Sequence, residues 1–269
     1  MKGTCAVITG AGMGLGRMLA DECAERGLDL LLVALPGSDL NGVSRTIRRN
    51  WNVSVETLEA DLTDATTIGE ILSIVRGKEL PVGLLINNAG VGTIGAFETL
   101  PPEQHRKTIL LNVLALVELT RALLPELKRH GDSRILNVAS LSAFYPMPSF
   151  CVYSATKSFV LNYSLALRNE LAGEVGVSVL CPNTIRTTPD VNAYIDRQGV
   201  LARLACLPAD RIARTALRQC VQNKAVIVPG GINRLLAAVS HCVPHSLSMP
   251  VIRRLWGTYA REMETAGRP

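Results

Sequence analysis

The sequence predicts an α/β fold, a doubly wound parallel sheet of about seven strands with helices on both faces. Short apolar runs alternate with longer segments of helical periodicity along most of the chain. This alternation implies right-handed crossovers between parallel strands. The length of 269 residues suits one large domain, and no linker, repeat or low-complexity segment divides it. We therefore predict a single domain over residues 1–269.

The predicted elements follow each other in a regular order. Strands are predicted near residues 4–9, 29–34, 53–58, 83–87, 133–138, 176–181 and 225–228. Helices are predicted at about 15–27, 39–50, 64–76, 102–129, 153–173 and 209–222. In such sheets, ligands bind beyond the carboxyl ends of the strands. Several distinctive residues fall at those ends, namely Gly10, Asp61, Asn87, Ser140 and Pro182.

A glycine-rich turn follows the first strand. Thr9, Gly10, Gly14 and Gly16 form the pattern Thr-Gly-x-x-x-Gly-x-Gly at the start of a predicted helix. A strand, a glycine turn and a helix N-terminus direct backbone N–H groups toward a phosphate. A merely flexible turn is the alternative, but the position in the first βα unit favours a dinucleotide site. The residues predicted to contact the dinucleotide here are Gly10, Gly12, Met13, Gly14, Leu15 and Gly16.

Tyr153 and Lys157 are the candidates for acid–base chemistry. They lie four residues apart on a predicted helix, so their side chains project from the same face. A neighbouring ammonium stabilises a phenolate and lowers the pKa of the tyrosine. Such a pair suits proton transfer in carbonyl and alcohol chemistry. The alternative is a chance pairing on a solvated helix.

Taken together, the motifs resemble the short-chain dehydrogenase/reductase family from about residue 2 to residue 187. Ser140 lies thirteen positions before Tyr153, which is the family's usual interval. The motifs appear in family order as Thr9-Gly10-x3-Gly14-x-Gly16, Asp61-Leu62, Asn87-Asn88-Ala89-Gly90, Asn112, Ser140, Tyr153-x3-Lys157 and Pro182-x4-Thr187. Segments 144–148, 153–160 and 228–234 are similar to the branch of hydroxysteroid dehydrogenases and 3-ketoacyl reductases with its bacterial relatives. The resemblance implies a Rossmann-like fold.

The resemblance also implies hydride transfer between a nicotinamide and a ketone or secondary alcohol. Tyr153 would donate the proton, and Lys157 would lower the pKa of Tyr153 and bind the nicotinamide ribose. Ser140 would polarise the carbonyl. Asn112 would bend its helix and hold a water molecule that links Lys157 to solvent. Ser140 is not predicted to be a nucleophile, because no histidine is placed to activate it.

Further cofactor contacts follow from the same resemblance. Asp61 would accept a hydrogen bond from the adenine amino group, with a turn-capping role as the alternative. Gly90 would let the backbone approach the adenosine ribose. The other implied contacts are Leu62, Asn88, Ala89, Tyr153, Lys157, Pro182, Asn183, Ile185 and Thr187. Asn183 departs from the family pattern, since relatives usually carry glycine after this proline.

The choice between NAD and NADP depends on the end of the second strand. Ala34 and Leu35 stand where relatives carry aspartate for NAD or arginine for NADP. Met13 replaces a residue that is often basic in NADP-dependent relatives. Because no carboxylate stands there to repel a 2′-phosphate, NADP(H) is slightly favoured over NAD(H). Ser38 and Arg45 are the candidate phosphate partners.

The predicted substrate pocket is apolar, which favours a lipophilic carbonyl or alcohol. Its candidate walls are segment 141–150 and a substrate loop at about 188–208. An apolar stripe at about 230–264 predicts two amphipathic helices, broken near Pro244 and Pro250. Three placements for these helices are open, over the pocket, at a subunit interface or on a membrane surface. We expect a homodimer or homotetramer whose C-terminal helices roof or border the pocket.

Composition argues against several other classes of protein. Seven scattered cysteines without CxxC pairs indicate reduced thiols and no metal site. The net charge of +5 is modest, so no nucleic-acid partner is expected. No signal peptide or membrane-length apolar run is evident, which predicts a cytoplasmic protein. A cofactor-binding sensor without turnover is the alternative function. A sugar-nucleotide epimerase is disfavoured, because its usual glycine spacing is absent.

Overall fold

A computed structural model describes residues 3–185, 205–243, 246–250 and 252–254. Its seven strands form one parallel sheet in the order β3-β2-β1-β4-β5-β6-β7. The strands are β1 Cys5–Thr9, β2 Asp29–Ala34, β3 Val55–Glu59, β4 Val82–Asn87, β5 Arg134–Val138, β6 Gly176–Leu180 and β7 Val226–Ile227. The order reverses direction at β1, so the predicted doubly wound parallel sheet is confirmed.

Helices cover both faces of this sheet. They are α1 Gly14–Glu25, α2 Leu40–Asn50, α3 Thr67–Gly77, α4 Pro102–Ile109, α5 Leu116–Lys128, α6 Cys151–Glu170, α7 Ala209–Val221 and α8 Gly231–Cys242. Core residues of α1, α2 and α7 pack on one face, and those of α3, α5 and α6 pack on the other. A 3₁₀ turn over Leu141–Phe144 follows β5.

The strands are apolar because both of their faces are buried. In β1, Ala6 and Ile8 belong to the core beneath α1, whereas Cys5 and Val7 belong to the core on the opposite face. This alternation follows from the two-residue period of a strand. Central strands of a parallel sheet therefore read as nearly continuous apolar runs.

The segment predicted as one helix over 102–129 is interrupted. A π-helical segment, Leu110–Ala115, separates α4 from α5. Within the described part of the chain, the continuous stretch Pro102–Lys128 is the one helix with the length and hydropathy of a membrane-crossing helix. Leu119, Leu123 and Leu127 of this helix pack into the core of the sheet, as in a core helix of the domain.

The C-terminal part of the chain is helical where it is described. α8 ends at Cys242, and helical residues occur again at 246–250 and 252–254. Pro250 lies within the first of these two runs. Most of the predicted substrate loop, residues 188–204, lies outside the described residues, as does Thr187.

Candidate active site

The turn between β1 and α1 requires glycine for its backbone shape. Gly10 and Gly14 have φ angles of 65° and 55°, in the left-handed region that favours glycine. A Cβ atom at Gly10 would lie 2.9 Å from Asn88 Nδ2, and one at Gly16 would collide with the carbonyl oxygen of Gly10. α1 begins at Gly14, so its unpaired backbone N–H groups lie at the carboxyl edge of the sheet. The turn thus has the geometry that binds phosphate groups.

Asn88 and Thr9 tie this turn to the end of β4. Asn88 Nδ2 donates hydrogen bonds to the carbonyl oxygens of Thr9 and Gly10, at 2.9 and 3.2 Å. The backbone N–H groups of Asn88 and Ala89 both donate to Thr9 Oγ1 at 3.0 Å. The two strand ends are therefore locked together beneath the place where a dinucleotide would cross the sheet.

The loop after β2 packs closely against the glycine turn. A Cβ atom on Gly12 would lie 2.6 Å from Ser38 Oγ, so only glycine allows this approach, which we call the Gly12–Ser38 cradle. Ser38 Oγ is buried and lacks a hydrogen-bond partner among the described residues. A buried hydroxyl in this state has room for a ligand partner. Ala34 ends β2 as a buried residue, and Leu35 is exposed beside it, so neither brings a charge to this end of the strand. Together with the glycine turn, the residues present fit a dinucleotide.

Other predicted cofactor residues also have structural contacts. Asp61 Oδ1 accepts hydrogen bonds from the backbone N–H and the hydroxyl of Thr63, at 2.9 and 2.8 Å. This is the turn-capping arrangement that the sequence left open as the alternative. The side chain of Leu62 packs into the core, and Asn87 donates a 2.8 Å hydrogen bond to Asn137 Oδ1 inside the sheet. Met13 is exposed at the N-terminus of α1.

Ser140 and Tyr153 bring their hydroxyl groups together. Ser140 directly follows Ala139 at the end of β5, and its Oγ accepts a 3.1 Å hydrogen bond from the N–H of Ser142. Tyr153 lies in the first turn of α6, where its ring stacks on Phe150 with centroids 4.2 Å apart. The Tyr153 hydroxyl lies close enough to the Ser140 side chain for this neighbour to lower the pKa of Tyr153, and both residues line the same cavity. Two hydroxyl groups can therefore contact one substrate oxygen.

Lys157 is buried behind this pair. Its Nζ atom donates a 2.9 Å hydrogen bond to the carbonyl of Val138 and lies 5.6 Å from the centroid of the Tyr153 ring. Burial lowers the pKa of Lys157 to about 8. Burial also raises the pKa of Tyr153, and the hydrogen bond with Ser140 opposes this rise. Burial and Ser140 account for the shift in the Tyr153 pKa, and the lowering by Lys157 that the sequence predicted stays a prediction.

Asn112 lies in the π-helical segment and is 1% exposed. Its amide exchanges two hydrogen bonds with the backbone of Val91, at 2.9 and 2.8 Å, and donates a third to Thr156 Oγ1 at 3.0 Å. A Cβ atom on Gly90 would lie 3.1 Å from both Asn112 Oδ1 and Lys157 Nζ. Asn112 and Lys157 therefore both border Gly90, and because glycine has no side chain, the space between the two polar groups stays open.

These groups lie along a cavity of about 890 Å³. Ser140, Tyr153 and Lys157 line it beside Pro182, Asn183 and Ile185, three residues that the sequence assigned to the cofactor. Its other walls are mainly apolar, with Tyr145, Met147 and Phe150 on one side and with Leu236 and Val239 of α8, and Val243 just after it, on another. A polar end and an apolar body suit a lipophilic molecule that carries one oxygen function.

A family model described as a short chain dehydrogenase matches residues 4–198, which contain the glycine turn and the Ser140–Tyr153–Lys157 group. The chain belongs to the short-chain dehydrogenase/reductase family. The family predicted from the motifs is thus confirmed.

Two curated relatives in this family belong to the branch that the sequence predicted. Human 17-beta-hydroxysteroid dehydrogenase type 3 is 33% identical over 188 residues, covering 69% of this chain and 60% of that protein. The very-long-chain 3-oxoacyl-CoA reductase of Bos taurus is 33% identical over 172 residues, covering 62% of this chain and 54% of that protein. The matched segment therefore spans between one half and two thirds of these relatives.

One solved structure is similar in both sequence and fold. A short-chain dehydrogenase from Sphingobium yanoikuyae, in complex with NADPH, has a TM-score of 0.73 and 32% identity, covering 84% of this chain and 87% of that one. This similarity extends beyond the motif residues to most of the chain.

Several residues around the site escaped the sequence reasoning. Val91 and Thr156 hold the Asn112 amide, yet neither carries a motif of its own. Asn233 is 1% exposed, and its Oδ1 atom accepts a 3.1 Å hydrogen bond from Asn183 Nδ2, but the sequence offered only its place in the segment 228–234. The one signal in the sequence for Asn233 was its position as a polar residue near the start of a helix with many apolar residues.

Proposed function

We propose that this protein is an oxidoreductase that transfers hydride between NADP(H) and a lipophilic ketone or secondary alcohol. The observation that carries the proposal is the pair of neighbouring hydroxyl groups, Ser140 and Tyr153, at the polar end of an otherwise apolar cavity. A carbonyl oxygen placed against both groups would be polarised by one and protonated by the other.

Each residue of the site has a separate task in this proposal. When bound, the nicotinamide supplies or accepts the hydride at its C4 atom. Ser140 donates a hydrogen bond to the carbonyl oxygen, and Tyr153 gives that oxygen its proton as the alcohol forms. Lys157 holds a proton behind Tyr153 and binds the nicotinamide ribose. Asn112 fixes the backbone beside Lys157 and leaves the space next to Gly90 for a water molecule that returns the proton.

The cofactor assignment rests on the end of β2. No acidic residue occupies positions 34–38 of the sequence, so a 2′-phosphate meets no carboxylate there. Ser38 Oγ lies unpaired and buried beside Gly12, where it can donate a hydrogen bond to an anion. The complex of the Sphingobium enzyme with NADPH gives an independent reason to favour NADP(H).

The cavity supports a substrate with a large apolar body. Its apolar walls come from segments on both sides of the hydroxyl pair, including Met147 and Val239. The names of the two curated relatives, a hydroxysteroid dehydrogenase and a very-long-chain oxoacyl reductase, point in the same direction. We therefore propose a steroid-like or 3-ketoacyl-like substrate rather than a sugar.

A ketone panel with both cofactors tests the proposal. The purified protein should oxidise NADPH in the presence of bulky apolar ketones, and more slowly with NADH. Short polar ketones and sugars should give little turnover. A protein that binds NADPH tightly but reduces no member of the panel, and oxidises none of the matching alcohols, would instead be a cofactor-binding sensor. Light scattering during size-exclusion chromatography measures the expected homodimer or homotetramer.

A further inference from the structure

Asn233 is a buried amide with a complete set of hydrogen bonds. It lies in the first turn of α8 and is 1% exposed. Its Nδ2 atom donates to the carbonyl oxygens of Ala205 and Pro229, both at 2.8 Å. Its Oδ1 atom accepts a hydrogen bond of 3.1 Å from Asn183 Nδ2. One side chain therefore joins three other stretches of chain to the start of α8.

Asn183 connects these hydrogen bonds of Asn233 to the candidate active site. It follows Pro182 at the carboxyl end of β6 and lines the cavity beside the hydroxyl pair. Its Oδ1 atom accepts a 2.8 Å hydrogen bond from the Thr184 N–H, while its Nδ2 atom donates to Asn233. A glycine at this position, which the family usually carries, has no side chain to form either bond.

Gly230 allows the approach of Asn233 to this region. Its φ angle is 90°, a backbone conformation that side-chain-bearing residues rarely adopt. A Cβ atom there would lie 3.2 Å from Asn233 Nδ2. The turn before α8 is thus shaped around the buried amide, and the Pro229 carbonyl is presented to it.

The same helix carries part of the cavity wall. Leu236 and Ser240 follow Asn233 at spacings of three and seven residues, which places these three on one side of α8, and Val243 directly follows the end of the helix. The three later residues line the cavity. α8 also contacts the 3₁₀ turn Leu141–Phe144, which follows Ser140. A shift at the first turn of α8 would therefore move a wall that faces the hydroxyl pair.

We propose that Asn233 is a positioning residue which, through its hydrogen bond with Asn183, fixes the α8 wall against the carboxyl end of β6 and so determines selectivity for bulky over small ketones. Asn233 itself touches neither the reacting atoms nor the hydroxyl pair. The inference rests on the proposed ketone reduction, since it names the residues that set the substrate size for that same site.

A double-mutant cycle tests this role in the full chain. The variants are Asn183→Ala, Asn233→Ala and the double substitution, each assayed with NADPH and with one bulky and one small ketone. In Asn233→Ala, the KM for the bulky ketone should rise about fivefold, while kcat for the small ketone changes less than about twofold. In Asn183→Ala, which also borders the cofactor end of the cavity, the ratio of kcat/KM for the bulky ketone to that for the small one should fall about fivefold, whatever the absolute rates. The double variant should resemble the more affected single variant, because both substitutions remove the same bond.

Asn169→Ala is the matched control. Asn169 is an exposed asparagine on α6 whose Nδ2 atom donates a 2.8 Å hydrogen bond to Leu165 O of its own helix. Its removal should leave the size selectivity at the wild-type value. Additive effects in the double variant, or equal losses with both ketones, would overturn the positioning role. Asn183→Ala keeps the test decisive if loss of the buried Asn233 amide prevents folding, because Asn183 is only half-buried.

Hydrogen exchange separates this inference from the proposed function. Backbone amides over residues 231–243 should exchange several-fold faster in Asn183→Ala than in wild type or Asn169→Ala, whether or not a ketone is turned over. Faster exchange in a protein that reduces no ketone contradicts the proposed function alone. An active protein with unchanged exchange and unchanged size selectivity contradicts the positioning role alone.

Discussion

The Lys157 ammonium donates a 2.9 Å hydrogen bond to the carbonyl of Val138, the last residue of β5 and two positions before Ser140. This bond ties the buried cation to the strand that leads to Ser140, while the same Nζ atom lies over the Tyr153 ring, 5.6 Å from its centroid. Burial is then the dominant influence on both titratable groups, lowering the pKa of Lys157 and raising that of Tyr153.

The first prediction is a loss of ketone reduction at high pH. The pKa of Lys157 is about 8, so the ammonium that holds the relay proton is present below this pH and is lost above it. The value of kcat/KM, which reports ionisation in the free enzyme, should therefore be level below pH 8 and then fall about tenfold per unit. A stopped-assay pH profile with NADPH and one ketone measures this. A profile that stays level to pH 10 would contradict the role of Lys157.

The second prediction concerns stability, with the sign set by the same pKa. Because the folded-state pKa of Lys157 is lowered from 10.5 to about 8, the unfolded chain binds the proton more strongly between these two values. Lys157 therefore destabilises the folded state most below pH 8, and the cost disappears as the pH rises to 10.5. Relative to wild type, Lys157→Met should gain about 3 kcal/mol in unfolding free energy at pH 7.

Urea unfolding of both proteins across this range measures the difference. Ionisable groups away from Lys157 titrate alike in both proteins and cancel from the comparison, and Cys181, whose pKa the ammonium lowers, has a pKa of about 12 in the folded state, above this range. The gain should shrink steadily from pH 8 to pH 10.5. A gain that is the same at every pH would mean that packing, and not the buried charge, separates the two proteins.

The third prediction concerns the proposed acid. Tyr153→Phe keeps the ring that stacks on Phe150 but removes the hydroxyl that contacts Ser140. Turnover should fall by about 10²–10⁴-fold, the usual contribution of a general acid. NADPH affinity, measured by fluorescence titration, should stay within a few-fold of wild type. A variant that retained more than about a tenth of wild-type turnover would rule out Tyr153 as the proton donor.

Much of the fold could be read from the sequence, because the buried strands are short apolar runs that end at glycine or polar residues. The predicted strands agree with β1 to β7 to within two residues at each end. The π-helical segment around Asn112 could not be read in this way. Periodicity over 102–129 is nearly continuous, and the interruption is visible only in the folded backbone, where Asn112 exchanges hydrogen bonds with Val91, twenty-one residues earlier.

The site was predictable where a motif encodes it and unpredictable where distant segments meet. Ser140 and Tyr153 come together because both lie at the same edge of the sheet, which the strand pattern already implies. The bond between Asn183 and Asn233 joins residues fifty positions apart. No periodicity or turn preference relates them, so only the folded chain shows the contact.

The fourth prediction concerns cofactor choice at the end of β2. Ala34→Asp would place a carboxylate beside the Gly12–Ser38 cradle and repel a 2′-phosphate. A repulsion of about 1–3 kcal/mol corresponds to a shift of about 5- to 150-fold in the NADPH/NADH preference toward NADH. Leu35→Arg should shift it the other way, since Leu35 is exposed at the adjacent position. Michaelis constants for both cofactors give the ratio, and an unchanged ratio in both variants would place the 2′ site elsewhere.

The last prediction tests whether α8 limits the size of the substrate. Val239 lines the cavity, whereas Leu235, one turn earlier on the same helix, is 65% exposed and is not among its lining residues. Val239→Trp should fill part of the cavity and raise the KM for a bulky ketone about tenfold, since large groups forced into a filled site cost on the order of 1–3 kcal/mol. The KM for a small ketone and the affinity for NADPH should change little. Leu235→Trp adds the same side chain to the same helix and should leave all three values at the wild-type level. If both substitutions raised the KM for the bulky ketone equally, they would act by destabilising the protein and not by filling the cavity. If neither changed this KM, the substrate would lie on the Met147 side of the cavity.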